Sequence, residues 1–132
     1  MRLPAKFILV DDDSVDNYIN NTVIKNTYNG AEVIKFENPL HALQYINDFL
    51  LPGNGEKAVL LLDINMPGLS GWDFMVELEK MGHGVFDKLR IFILSSSVDS
   101  RDIEKAKLNL HISDFISKPL GKEKLETCFV GR

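Results

Sequence analysis

The chain of 132 residues has a single cysteine, Cys128, so no disulfide framework can form within it, and a reducing compartment suits it. Cys128 lies in an apolar stretch and reads as a partly buried small residue rather than a nucleophile. No apolar run approaches the ~20 residues that a membrane-spanning helix needs. Residues 1–6 lead straight into a strand and leave no room for the apolar region of a signal peptide. These absences predict a cytoplasmic protein with no membrane partner. Dense basic blocks are lacking too, and a net charge of −4 gives no electrostatic reason to bind nucleic acid. His41, His83 and His111 are scattered without metal-ligand spacing and read as surface or half-buried residues. No glycine-rich phosphate loop follows the first apolar run, which argues against a dinucleotide or flavin site. Neither internal repeats nor low-complexity segments are visible.

What is present is an alternation of two hydrophobic periods. Short apolar runs at 7–10, 32–36, 59–62, 90–94 and 114–116 read as strands. Between them apolar residues recur every three or four positions. Val15, Ile19 and Val23 or Ile24 form the first stripe, and Leu40, Leu43, Ile46 and Leu50 the second. Phe74, Leu78 and Met81 form the third, Ile103, Ala106 and Leu110 the fourth, and Leu120, Leu125 and Phe129 a short last one. Asn38-Pro39 reads as a cap followed by proline in the first helical turn. The 45% hydrophobic content is enough for one domain with its own core. Alternating strands and helices predict an α/β fold, a parallel sheet covered on both faces. The first, third and fourth strands are almost wholly apolar, as central strands are. Glu32 and Lys35 mark the second as an edge, and Asp114 marks the fifth as the other. The predicted order is 2-1-3-4-5, with ligands binding beyond the carboxyl ends near the switch between strands 1 and 3. Residues 51–57 and Gly82-His83-Gly84 read as breaks, not domain linkers.

Acids stand at those carboxyl ends. Asp11, Asp12 and Asp13 follow the first run, Asp63 follows the third, and Lys118 follows the fifth just before Pro119. Two unit charges about 4 Å apart repel by roughly 4 kcal/mol at an effective dielectric of about 20, so such a cluster needs cations. Hard carboxylate oxygens suit Mg²⁺, with Mn²⁺ as a substitute, and Lys118 adds an ammonium. Consecutive aspartates also cap helices, and Asp13 or Ser14 fits that role ahead of Val15. Asp63 is the best candidate for covalent work, because a carboxylate can attack phosphorus and form an acyl phosphate. The turn after it, Ile64-Asn65-Met66-Pro67-Gly68, lets the Asn65 carbonyl face the ion. Gly71 fits a place of close packing or unusual backbone angle. Ser95, Ser96 and Ser97 end the fourth strand, where hydroxyls can donate to a phosphoryl oxygen. Ser97 or Asp99 also suits the cap of the next helix. Trp72 is expected to cover the site-side end of the third helix.

Four segments carry a resemblance: Ile8-Leu9-Val10-Asp11-Asp12-Asp13, residues 62–71, Ile93-Leu94-Ser95-Ser96, and Phe115-Ile116-Ser117-Lys118-Pro119-Leu120. Over almost its whole length the chain resembles the receiver domain of two-component response regulators, of the stand-alone, chemotaxis-regulator-like type. The resemblance implies a flavodoxin-like doubly wound (βα)5 fold. It also implies one receiver domain over residues 1–132, with a core at about 6–129 and no output domain. Asp11 and Asp12 match the acidic pair that holds Mg²⁺, and Asn65 the residue whose carbonyl completes the ion's shell. Asp63 matches the phosphoaccepting aspartate and Lys118 the family's lysine. Ser95 matches the hydroxyl that moves to the phosphoryl group, and Phe115 the switch aromatic. Asp13 has a lesser role. Ser96 stands where alanine is frequent, and Ser97 and Asn65 occupy positions that tune phosphate loss.

By that resemblance Asp63 takes a phosphoryl group from a histidine kinase or histidine phosphotransfer protein, and water later removes it. The protein is then a phosphoprotein of signal transduction rather than a turnover enzyme, with Mg²⁺-dependent self-phosphorylation and autodephosphorylation. Its output passes by contact to a downstream protein target, through the face formed by the fourth helix of the pattern, the fifth strand and the last helix. That last helix is expected to leave apolar groups available to a partner. Two alternatives stay open: a pseudo-receiver that binds partners without phosphorylation, and a small-molecule phosphatase with a nucleophilic aspartate. The phosphatase reading lacks its usual second acid two positions on, where Asn65 stands.

Overall fold

The computed structural model describes residues 5–129; residues 1–4 of the expected lead-in, and the ends of the 1–132 domain, lie outside them. The strands are β1 Lys6–Val10, β2 Glu32–Phe36, β3 Ala58–Leu62, β4 Leu89–Ser95 and β5 Ile112–Ser117. The helices are α1 Ser14–Thr27, α2 Pro39–Tyr45, α3 Gly71–Lys80, α4 Gly84–Lys88, α5 Ser100–Leu108 and α6 Lys122–Thr127. The five strands are parallel in the order β2-β1-β3-β4-β5, as the charge pattern of the strands predicts.

Period-two alternation divides the core between the sheet's two faces. Phe7, Leu9, Val59, Leu61, Phe92 and Leu94 pack with Ile24 and Tyr28 from α1 and its end, and with Leu125 and Phe129 from α6 and its end. Ile8, Val10, Leu60, Leu62, Ile91 and Ile93 pack with side chains of α2, α3, α4 and α5. Each large side chain wholly withdrawn from water contributes about 2 kcal/mol relative to exposure. The central strands are therefore anchored on both faces, and their carboxyl ends are held side by side.

Helix starts follow capping chemistry. Asp13, Asn38, Ser70 and Asp99 each accept a backbone N–H of the helix that follows, and Ser70 forms a reciprocal box with Asp73. Of the pairs the sequence left open, Asp13 and Asp99 are the caps. At the end of α2 the coil widens into a π-helical turn, Ile46–Leu50. The Lys88 ammonium closes that end by donating to the carbonyls of Leu50 (3.3 Å), Leu51 (2.9 Å) and Gly53.

Several expectations need correction. In α1 the apolar stripe is buried only toward its end: Val15 and Ile19 are exposed, whereas Ile24 is buried, and Asn17 and Asn20 are buried with it. The reason is local, because the Asn17 amide donates to the Asp11 carbonyl at 2.9 Å and so occupies the inward position beside the strand end. Leu40 is exposed although it opens the second stripe. Leu110 is 98% exposed because α5 has already ended at Leu108. The one-turn helix α4 was unforeseen; Gly82 reverses the chain with φ +99°, and Val85 anchors the turn. Among the described residues the last helix and its flanks keep their apolar groups inside, since Leu120, Leu125, Cys128 and Phe129 are all buried.

Candidate functional site

The strand ends are laced together. The Asp11 N–H donates to the Phe36 carbonyl (3.1 Å), the Asp63 N–H to Val10 (3.0 Å), and the Lys118 N–H to Ser95 (2.9 Å). These bonds carry the sheet ladder one residue past the strands, so residues far apart in sequence meet at the carboxyl end of the sheet. The N-terminus of α3 packs directly on the backbone of Asp63. A Cβ added at Gly71 would lie 2.5 Å from the Asp63 carbonyl oxygen and 2.9 Å from the Ile64 Cα. Close packing, not backbone angle, is what requires glycine there.

The acids converge. One carboxylate oxygen from each of Asp11, Asp12 and Asp63 lies within 4.8 Å of the others. Asp11 and Asp63 are buried, whereas Asp12 is exposed. The Lys118 ammonium is 2.6 Å from Asp11 Oδ2, 2.8 Å from Asp16 Oδ2 and 3.7 Å from Asp63 Oδ1. Burial, reinforced by the charge of Asp11, pushes the Asp63 carboxyl up to about 6 despite the opposing Lys118. Burial also raises Asp11, against the bonds it accepts from Lys118 and the Asp13 N–H. For Lys118 burial works against the ammonium, but the bonds to Asp11 and Asp16 outweigh it and hold its pKa above the usual lysine range. One ammonium thus leaves the carboxylates undercompensated. This all-oxygen, carboxylate-rich donor set fits Mg²⁺.

The remaining predicted residues take different places. Asp13 is turned to its cap, accepting from the Val15 and Asp16 N–H groups. Asn65 is exposed on a turn bounded by two bonds to the Ile64 carbonyl, from Met66 (3.2 Å) and Gly71 (2.8 Å). Ser95 is fully buried at the end of β4, and its Oγ accepts from the Ser97 N–H at 3.1 Å. Ser96 is exposed. The Ser97 hydroxyl donates to Asp102 Oδ2 at 2.7 Å, so it points to α5. Phe115, opposite Ile93 in the ladder, is half-buried against the core. Trp72 does stand at the site-side end of α3, and its indole N–H donates to Asp102 Oδ1 at 3.1 Å.

Asp16 and Asp102 were missed. An acid in the first turn of a helix ordinarily reads as a complement to the helix dipole, which hid Asp16. Only the β5 end shows that Lys118 reaches it. A cleft of about 970 Å³ lies at the opposite end of the strands, lined by Lys6, Lys57, Arg90 and His111 among others. It is remote from the acids.

The sequence pattern of the response regulator receiver domain matches residues 7–129. The chain belongs to that family. Among solved receivers, a two-component response regulator from Cytophaga hutchinsonii superposes with a TM-score of 0.87 at 29% identity, covering 97% of this chain and 96% of the other. Among curated relatives, the two-component response regulator ORR41 of Oryza sativa is 28% identical over 124 residues, 94% of this chain and 91% of its own length. The cyclic di-GMP phosphodiesterase response regulator RpfG of Xanthomonas campestris is 28% identical over 124 residues, but this chain spans only 30% of it. Receiver domains are mostly signalling modules that accept phosphoryl groups, and they generally bind Mg²⁺ through acidic residues. Among the described residues of this receiver no helix is long and apolar enough to cross a membrane.

Proposed function

We propose that Asp63 accepts a phosphoryl group from a phosphohistidine on a kinase or phosphotransfer protein, and that the domain signals through the resulting change of shape. The observation that carries this is the juxtaposition at the carboxyl end of the sheet of buried Asp63, the Asp11 and Asp12 carboxylates, and the Lys118 ammonium 3.7 Å away. An Asp63 oxygen attacks phosphorus. The N–P bond breaks and its electron pair stays on the imidazole nitrogen. The Lys118 ammonium, 3.7 Å from Asp63, shifts a short way to meet the charge on the transferred group. Asp11, Asp12, Asp63 and the Asn65 carbonyl would hold Mg²⁺, which supplies charge neutralisation and alignment for the transfer.

The Ser95 hydroxyl then turns to a phosphoryl oxygen, giving up its bond from the Ser97 N–H. Phe115 follows into the space released. The modification shifts a two-state equilibrium and alters the face of α5, β5 and α6 for a downstream protein. Ser97 and Asn65 set how readily water reaches the phosphorus. The domain acts in the cytoplasm in this reading.

Incubation with acetyl phosphate and Mg²⁺, with Asp63→Asn in parallel, tests the assignment. Base-labile incorporation in the native protein and none in the variant is the expected result. Equal incorporation in Asp63→Asn would remove Asp63 from the reaction.

A further inference from the structure

Lys118 is shared unequally. Its ammonium sits 2.6 Å from Asp11 and 2.8 Å from Asp16, but 3.7 Å from Asp63. Asp16 stands on the first turn of α1, outside the acid trio, and is positioned by the Asp13 cap, which accepts its N–H at 3.3 Å. Exposed ion pairs contribute little. This one is not of that kind: the Lys118 side chain is only 12% exposed, and that of Asp16 35%. Two charge-assisted bonds therefore hold the ammonium on the α1 side of the site. To meet a phosphoryl group on Asp63, Lys118 has to move toward it.

We infer that Asp16 is a positioning residue that competes with the incoming phosphoryl group for Lys118, and so restrains phosphorylation of the resting protein. The inference rests on Asp63 being the acceptor. Asp11 cannot play the same part, because it belongs to the acid trio expected to face the cation. With acetyl phosphate as donor, the bond from phosphorus to the acetyl oxygen breaks, acetate departs with its electron pair, and an Asp63 oxygen bonds to phosphorus. The dianionic phosphoryl group gains Lys118 only as Asp16 loses it. Removing the Asp16 charge also weakens repulsion of the anionic donor.

The test uses Asp16→Asn and Asp16→Ala, with Asp16→Glu as the conservative variant. Phosphorylation by acetyl phosphate at saturating Mg²⁺ should be about threefold to tenfold faster in the Asn and Ala variants, as loss of one hydrogen bond of ordinary net strength predicts. It should return toward the native rate in Asp16→Glu. A second readout needs neither metal nor donor: the ¹⁵N–¹H signal of the Lys118 ammonium, assigned by its loss in Lys118→Arg. It should shift or broaden in Asp16→Asn and stay near native in Asp16→Glu. A merely structural role would lower the melting temperature without moving that signal. Unchanged or slower phosphorylation, or an unmoved ammonium signal in folded variants, overturns the inference. If Asp63→Asn abolishes labelling while Asp16→Asn matches the native rate, only this inference fails. If Asp63→Asn keeps its label, the acceptor assignment itself fails.

Discussion

The indole N–H of Trp72 donates to Asp102 at 3.1 Å, joining the start of α3 to α5. The other oxygen of Asp102 accepts the Ser97 hydroxyl, and the Lys105 ammonium lies 4.9 Å from the Trp72 ring centre. The only tryptophan of the chain is thereby wired, through Ser97, to the loop that follows Ser95. Acetyl phosphate with Mg²⁺ should change its fluorescence intensity or wavelength, and should leave the Asp63→Asn spectrum unchanged. Asp102→Ala, which strands two half-buried donors, should cost about 1 kcal/mol in urea unfolding and shift the resting spectrum.

Gly71 supports Asp63 from beneath. Since an added Cβ would collide with backbone atoms, which cannot step aside as a side chain can, Gly71→Ala should destabilise by about 1–3 kcal/mol. Chemical denaturation measures this. Phosphorylation should fall as well, because the displaced atoms belong to Asp63, the proposed acceptor, and its neighbour Ile64.

The raised Asp63 carboxyl makes stability depend on pH. Its folded pKa of about 6 lies above the unfolded value of 3.8. The folded protein therefore binds the extra proton in that window, and stability is fully present below the unfolded value. It is lost as pH rises through about 6, by up to about 3 kcal/mol if no other group compensates. Melts of the chelator-treated protein between pH 4 and pH 7 should show the decline. Asp63→Asn should flatten it and be the more stable protein at pH 7, and Mg²⁺, binding only the folded state, should reverse it in the native chain.

Lys118 is the cation the acids share. Lys118→Ala should leave Asp11 and Asp63 buried without it, costing on the order of 3 kcal/mol in metal-free protein. Mg²⁺ should recover part of that loss. Differential calorimetry with and without the ion distinguishes this from simple loss of packing, which the ion would not repair.

The sheet and the acids at its carboxyl end were legible because a strand buried on both faces is a continuous apolar run, and a charge at its end has few places to go. Asp11, Asp63 and Lys118 could be read that way, and Glu32, Lys35 and Asp114 gave the edges. Helix faces were less legible. Val15 and Ile19 have the right spacing, yet the Asn17 amide takes the inward position because it meets the Asp11 carbonyl, a contact made across elements. The turn Gly84–Lys88 is shorter than two helical periods, so no stripe could reveal it. Asp16 and Asp102 act on partners 102 and 30 positions away, which sequence spacing does not express.

The most direct measurement is chemical mapping of the modified residue. After acetyl phosphate and Mg²⁺, hydride reduction converts an aspartyl phosphate to homoserine, and peptide mass spectrometry locates it. The account predicts homoserine at position 63 and nowhere else. Homoserine at Asp11, Asp12 or Asp13, or phosphoryl label retained with position 63 unaltered, would contradict it.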